Sequence, residues 1–256
     1  MMLTPMPRFE SFDQVALAYE IDGDGVPVLL LHGFASDSFI NWVRPGVVDA
    51  LVRAGYRAIA LDQRGHGLSD KPHEPDAYAG DTMVRDAQAL LDHLSIPSAL
   101  VVGFSMGSIN TVGLIKADDR VKAAVLGGVG SHTIMVRAEG GNFLADAMTA
   151  EDKSTITNPI AKSFRDFADL TRADRKALAA LQSSSRSPMD ELESINVPVL
   201  VLGAENDPLA GDGQALADKI PGAKAATVGG THLNVVNNPA FHQHIIDFLN
   251  ENRALV

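Results

Sequence analysis

A chain of 256 residues that is 46% hydrophobic and 21% charged can bury a core that stands without disulfides or metal staples, so one globular domain is expected. Lysine and arginine total 21 against 32 aspartates and glutamates, a formal net charge of −11 that excludes nucleic acid and anionic membrane surfaces as natural partners and suits a small neutral substrate. The absence of cysteine excludes a disulfide framework, a thiolate nucleophile and a Cys-built zinc site, and no run approaches the roughly 18 apolar residues needed to span a bilayer, so the chain reads as a soluble, cytoplasmic protein.

Gln14 to Ile21 alternates like an edge strand, and Asp22-Gly-Asp-Gly25 supplies the turn after it. Short apolar runs then recur at Val26–Leu31, Ala58–Leu61, Ala99–Val102, Ala123–Leu126 and Val197–Leu202, each the length of a buried parallel strand. Helical patterns separate them. In one, Met83, Ala87, Leu90, Leu91 and Leu94 would lie on a sheet while Arg85, Asp86 and Asp92 face water. Strands alternating with helices mean α/β architecture, a mostly parallel central sheet flanked by helices.

The alternation stops between residues 131 and 193. Helical patches at Asn142–Met148, Ile160–Leu170 and Ala173–Leu181 follow one another without a strand, and the polar run Ser183–Ser187 closes the segment. The expected division is a core of residues 1–130 and 194–256 with a small helical lid at 131–193; ordinary crossover helices are the other reading. Met135, Phe143, Met148, Phe164 and Phe167 are either the lining of an apolar acyl pocket or the lid's own core.

Gly103-Phe-Ser-Met-Gly107 sits between a buried strand and a helical pattern over Ser108–Lys116, which puts Ser105 on a sharp strand-to-helix turn whose glycines avoid collision with neighbouring backbone. A serine hydroxyl needs a base, and the base needs an orienting acid. Asp207 lies just after the last strong strand and His232 in the glycine-rich stretch Val228-Gly-Gly-Thr-His232, so the order is serine, acid, histidine. Glu205 is a rival for the acid, and a turn before Pro208 is the other role open to Asp207. Leu29-Leu-Leu-His-Gly-Phe34 ends the first buried strand where the Phe34 amide can pair with the Met106 amide as an oxyanion hole, leaving the His32 side chain structural.

Leu31-His-Gly-Phe34, Leu61-Asp-Gln-Arg-Gly-His-Gly-Leu-Ser-Asp70, Gly103-Phe-Ser-Met-Gly107, Asp207 and Gly230-Thr-His232 together resemble the α/β-hydrolase superfamily over nearly the whole chain. The resemblance implies that fold, and implies that the segment around Arg64 and His66 is a structural turn, with substrate contact as its alternative. Related dehalogenases and many epoxide hydrolases carry aspartate where this chain has Ser105, which disfavours those reactions here. Ser108 also replaces the glycine that often follows the elbow. The expected activity is hydrolysis of a small, largely apolar carboxylic ester through an acyl-enzyme. Thioester, lactone or carbon–carbon bond cleavage by the same triad, perhydrolysis, and a slow-turnover ligand receptor are the alternatives. No cofactor is expected, and no metal: His242-x-His244 would project to different sides of a helix, and no phosphate or dinucleotide loop appears.

Overall fold

The computed structural model describes residues 6–133, 142–185 and 189–256. Each apolar run is a strand: β3 (Val26–Leu31), β4 (Tyr56–Leu61), β5 (Ala99–Phe104), β6 (Val121–Gly127) and β7 (Val199–Asn206) pair in parallel. β8 (Lys224–Thr231) extends the sheet beyond β7, and β1 (Arg8–Glu10) and β2 (Ala16–Asp22) close the other side antiparallel. The order β1-β2-β4-β3-β5-β6-β7-β8 reverses direction around β3, because β4 lies on one side of it and β5 on the other. That reversal opens a crevice at the strands' carboxyl ends. Leu31 pairs with Gly103, so the loops leaving β3 and β5 start side by side.

The stretch expected as an edge strand is interior. A turn at Ser11–Val15, with Gln14 at φ 69°, folds β1 back along β2, and Leu17, Ala18 and Tyr19 are buried in consequence. Period-two alternation explains the double-sided core. Val28 and Leu30 face the layer of α1 (Val47–Arg53) and α8 (Pro239–Asn252), while Leu29 and Leu31 face α2 (Thr82–His93) and α3 (Met106–Ala117). All four are at most 1% exposed, and each such side chain contributes about 1.5–3 kcal/mol by burial.

Asp86 departs from the amphipathic reading of α2: it is 1% exposed, not solvated. A periodicity argument places it on the outer face, but the loop after β4 brings Arg64 over that face. Arg64 Nε and Nη2 donate to Asp86 (2.9 and 2.7 Å), Nη1 and Nη2 to Asp13 (2.6 and 2.8 Å) and Nη1 to the Ala77 carbonyl (3.0 Å), which places all five guanidinium hydrogens. Ser11 Oγ donates to Asp86 as well (2.6 Å). Burial works against the Arg64 charge, but the hydrogen bonds from it to Asp86 and Asp13 outweigh burial and hold its pKa above the usual arginine range.

Between β6 and β7 run α4 (Phe143–Thr149), α5 (Pro159–Thr171) and α6 (Arg175–Ser183). Asn158 caps α5 by accepting from the Ala161 N–H, with Pro159 at its first turn, and Asp174 caps α6 through the Lys176 and Ala177 N–H groups. Phe164, Ala168, Leu178 and Leu181 pack with Phe34 and Met106, so the three helices cover the carboxyl end of the sheet. Met148 is in the core of this cluster, and Met135 lies outside the described residues. A short α7 (Gly213–Ala217) joins β7 to β8. No helix among the described residues is long and apolar enough to cross a membrane.

Arg64→Leu is expected to cost about 3–5 kcal/mol of unfolding free energy in urea, because it strands the Asp86 carboxylate in the interior. A loss under about 1 kcal/mol would show that the network is dispensable.

Candidate active site

Ser105 stands between the last residue of β5 and the first of α3 with φ 52° and ψ −113°, a left-handed conformation rare for a residue with a side chain. The surroundings hold it there. Its N–H donates to the Gly127 carbonyl (2.8 Å), and Ser108 Oγ donates to the same oxygen (2.8 Å), so the serine found in place of glycine anchors the helix start. A Cβ on Gly107 would meet the Leu31 carbonyl oxygen at 1.9 Å, and one on Gly103 would meet the Gly107 carbonyl at 2.5 Å. The β5–α3 turn can therefore sit against the end of β3 only with glycine at both positions.

His232 follows β8 directly, and its Nε2 lies 3.0 Å from Ser105 Oγ. Its Nδ1 is 2.7 Å from Asp207 Oδ2. Asp207 is 7% exposed, and its other oxygen accepts from the Leu209 and Ala210 N–H groups (3.1 and 3.0 Å), so the carboxylate is aimed by the backbone of its own loop. Nδ1 thus carries the proton and Nε2 presents its lone pair to the serine. The structure brings Ser105, His232 and Asp207 together. Glu205, the rival acid, is exposed on β7, and among the described residues it is Asp207, not Glu205, that hydrogen-bonds His232.

The loop after β3 is fastened by neutral histidines. His32 Nε2 accepts from the Gln63 N–H (3.0 Å) and Nδ1 donates to the Gly33 carbonyl (2.8 Å). His66 Nε2 accepts from the Ala35 N–H (3.2 Å) and Nδ1 donates to the Arg64 carbonyl (3.0 Å). Both rings are at most 1% exposed, and burial depresses both pKa values, that of His66 to about 3, with the neighbouring His32 adding to the effect. The Asp62–Gly67 turn is therefore structural, as the resemblance implies. Among the described residues the Phe34 and Met106 N–H groups have no backbone or side-chain partner.

Two cavities meet at Ser105 and share Phe34, Phe164 and His232. One of about 160 Å³ is apolar, lined by Ile109, Val129, Leu144, Met189 and Leu209. The other is a cleft of about 40 Å³ beside Gly33, with Asn41, Arg44 and Phe167 on its walls. Of the candidate pocket residues, Phe164 and Phe167 line these cavities. Asn41, whose Oδ1 accepts from the Gly33 N–H (3.0 Å), carries no sequence signal: only the fold brings it under the loop.

A family model of the alpha/beta hydrolase fold matches residues 26–175. The chain is 28% identical over 273 residues to 3-oxoadipate enol-lactonase 2 of Acinetobacter baylyi, an alignment covering 94% of this chain and 97% of that protein. The crystal structure of the enol-lactonase from Burkholderia xenovorans LB400 superposes with a TM-score of 0.72 at 26% identity, over 95% of this chain and 100% of that one. Non-heme chloroperoxidase CPO-A1 of Kitasatospora aureofaciens also aligns end to end, 24% identical over 96% of this chain and 100% of that protein, whereas several other curated relatives match over less than half of their own length, among them an epoxide hydrolase of Caballeronia sordidicola, 37% identical over 43% of this chain and 32% of that protein.

Gly107→Ala should give a protein whose near-ultraviolet circular dichroism differs from the parent or that fails to accumulate, since backbone must yield; an unchanged, equally stable variant would refute the close approach. A second expectation concerns pH. Burial lowers both folded pKa values below the unfolded value of about 6.5, so the two histidines contribute in full above pH 6.5 and progressively less below it, His66 down to about pH 3. Urea unfolding at pH 7 and 5 should show a loss of stability to which His66 contributes about 2 kcal/mol, so that the loss is smaller in His66→Gln. Equal pH slopes in the two proteins would argue against a neutral buried His66.

Proposed function

Because the chain belongs to the α/β-hydrolase fold family, we propose that it is a serine hydrolase of small carboxylic esters, with Ser105 as nucleophile, His232 as general base and Asp207 as the orienting acid. The observation that carries the reading is the continuous chain Ser105 Oγ, His232, Asp207, at 3.0 and 2.7 Å, on a strained turn between two cavities.

His232 Nε2 takes the hydroxyl proton as Ser105 Oγ bonds to the ester carbonyl carbon. Negative charge on the carbonyl oxygen is met by the Phe34 and Met106 N–H groups and the amino end of α3. The imidazolium then gives its proton to the leaving alkoxide, the ester C–O bond breaks and an acyl-serine remains. Water, deprotonated by the same nitrogen, attacks the acyl carbon and releases the acid and free serine. The steps call on no cofactor. Ser105 departs from the aspartate nucleophile of epoxide-opening relatives, which weighs against that reaction. A lactone is a cyclic ester, and the enol-lactonase likeness over nearly the full length favours it as a second substrate form. Residues 131–193 act as a lid over a core of 1–130 and 194–256, with Phe164 packed edge-on to Phe34 (5.7 Å) and near His232 (6.2 Å).

With p-nitrophenyl butyrate as substrate, Ser105→Ala should lower kcat at least about 10³-fold and Asp207→Asn by about 10³–10⁴, while Glu205→Gln stays within about twofold. Turnover surviving in Ser105→Ala would remove the proposed nucleophile; a large loss in Glu205→Gln would reassign the acid.

A further inference from the structure

Residues Phe39–Val43 form a π-helical turn, closed by the Arg44 N–H donating to the Phe39 carbonyl (2.8 Å). Such turns are rare and concentrate at functional sites, because the extra residue redirects side chains that an α-helix would space evenly. Here the turn buries Asn41 to 4% exposure beneath the loop that follows β3. The Gly33 N–H can only donate, so Asn41 Oδ1 must face it, and that sets the orientation of the side-chain amide. Nδ2 is then a buried donor without a partner. Leaving such a group unpaired costs about 1–3 kcal/mol, which a ligand acceptor in the adjoining cleft would recover. Trp42 Nε1 is also unpartnered, but Trp42 packs in the sheet core and lines neither cavity at Ser105.

The Asn41 amide and the serine flank the same glycine: a Cβ built on Gly33 would stand 3.5 Å from both Asn41 Oδ1 and Ser105 Cβ. Arg44 lies at the mouth of the same cleft, exposed, and in no ion pair among the described residues. Asp37, the carboxylate whose field it shares, already accepts from the Ile40 N–H (2.7 Å). Asn41, with its unpartnered Nδ2, and the exposed Arg44 both line a cleft of about 40 Å³ that meets, at Ser105, an apolar cavity four times larger. We propose that this cleft is a polar subsite, Asn41 and Arg44 binding a carboxylate on the substrate while the apolar cavity holds its hydrocarbon part. The inference rests on the hydrolase reading above and narrows the substrate to esters or lactones that carry a second, anionic oxygen group.

The test compares kcat/KM within matched pairs. Methyl hydrogen succinate against methyl butyrate places the carboxylate on the acyl side; 4-carboxyphenyl butyrate against its 4-methoxycarbonyl analogue places it on the alcohol side. The parent enzyme should prefer the acid in one pair, and Asn41→Ala and the surface variant Arg44→Ala should each reduce that preference about tenfold, the worth of one buried or charged hydrogen bond. If Asn41 only fastens the Gly33 loop, Asn41→Ala slows acid and neutral esters equally and the preference is untouched, which overturns the subsite. Turnover of the neutral esters with no acid preference in either pair also overturns it and leaves the hydrolase reading intact. Failure to turn over any of the four esters removes both.

Discussion

The close approach of the β5–α3 turn to the end of β3 is the constraint on which the rest of the site depends. With no Cβ on Gly103 or Gly107, the turn settles against the Leu31 carbonyl, and Ser105 is forced to φ 52°, half-buried at the sheet's carboxyl edge. Because β3 and β5 are neighbours at the point where the strand order reverses, two loops distant in sequence share one crevice. His232 and Asp207 then arrive from β8 and β7, the strands farthest from the reversal on that side, each at a carboxyl end.

The frame around this contact is polar and buried, which is costly unless every group is paired. Arg64 places all its donors, and His32 and His66 each give one hydrogen bond and accept another. The loop carrying Gly33 and Ala35 is fixed from below by these rings rather than by a strand or helix of its own. Function is thus supported by side chains that never touch the crevice. The helices over it are held differently, by alanine, leucine and phenylalanine contacts with few cross-links to the sheet, the Thr171 hydroxyl to the Ala35 carbonyl (3.0 Å) being one.

Much of this was legible in the sequence because it depends on local pattern. Five strands announce themselves as apolar runs bounded by turns, and the elbow, the acid and the histidine occur in short motifs whose order and position relative to strands carry the information. What was not legible depends on residues meeting across long separations. Asp86 fits the polar face of an amphipathic helix, and only Arg64, 22 positions away, turns that face into an interior. β2 looked like an edge because nothing in Arg8–Glu10 marks a strand; the hairpin at Gln14 makes it one. Asn41 sits in Phe-Ile-Asn-Trp with no recognisable spacing, and its placement follows from a π-turn that no periodicity rule foresees.

The central claim is that Ser105 is the nucleophile, made reactive by the chain to His232 and Asp207. Incubation of the folded protein with a fluorophosphonate, followed by intact-mass measurement and peptide mapping, tests it without any assumption about the natural substrate. The account predicts one covalent adduct per chain, located on Ser105 and lost on prior heat unfolding. An adduct on another serine, or none in the folded protein, would contradict it.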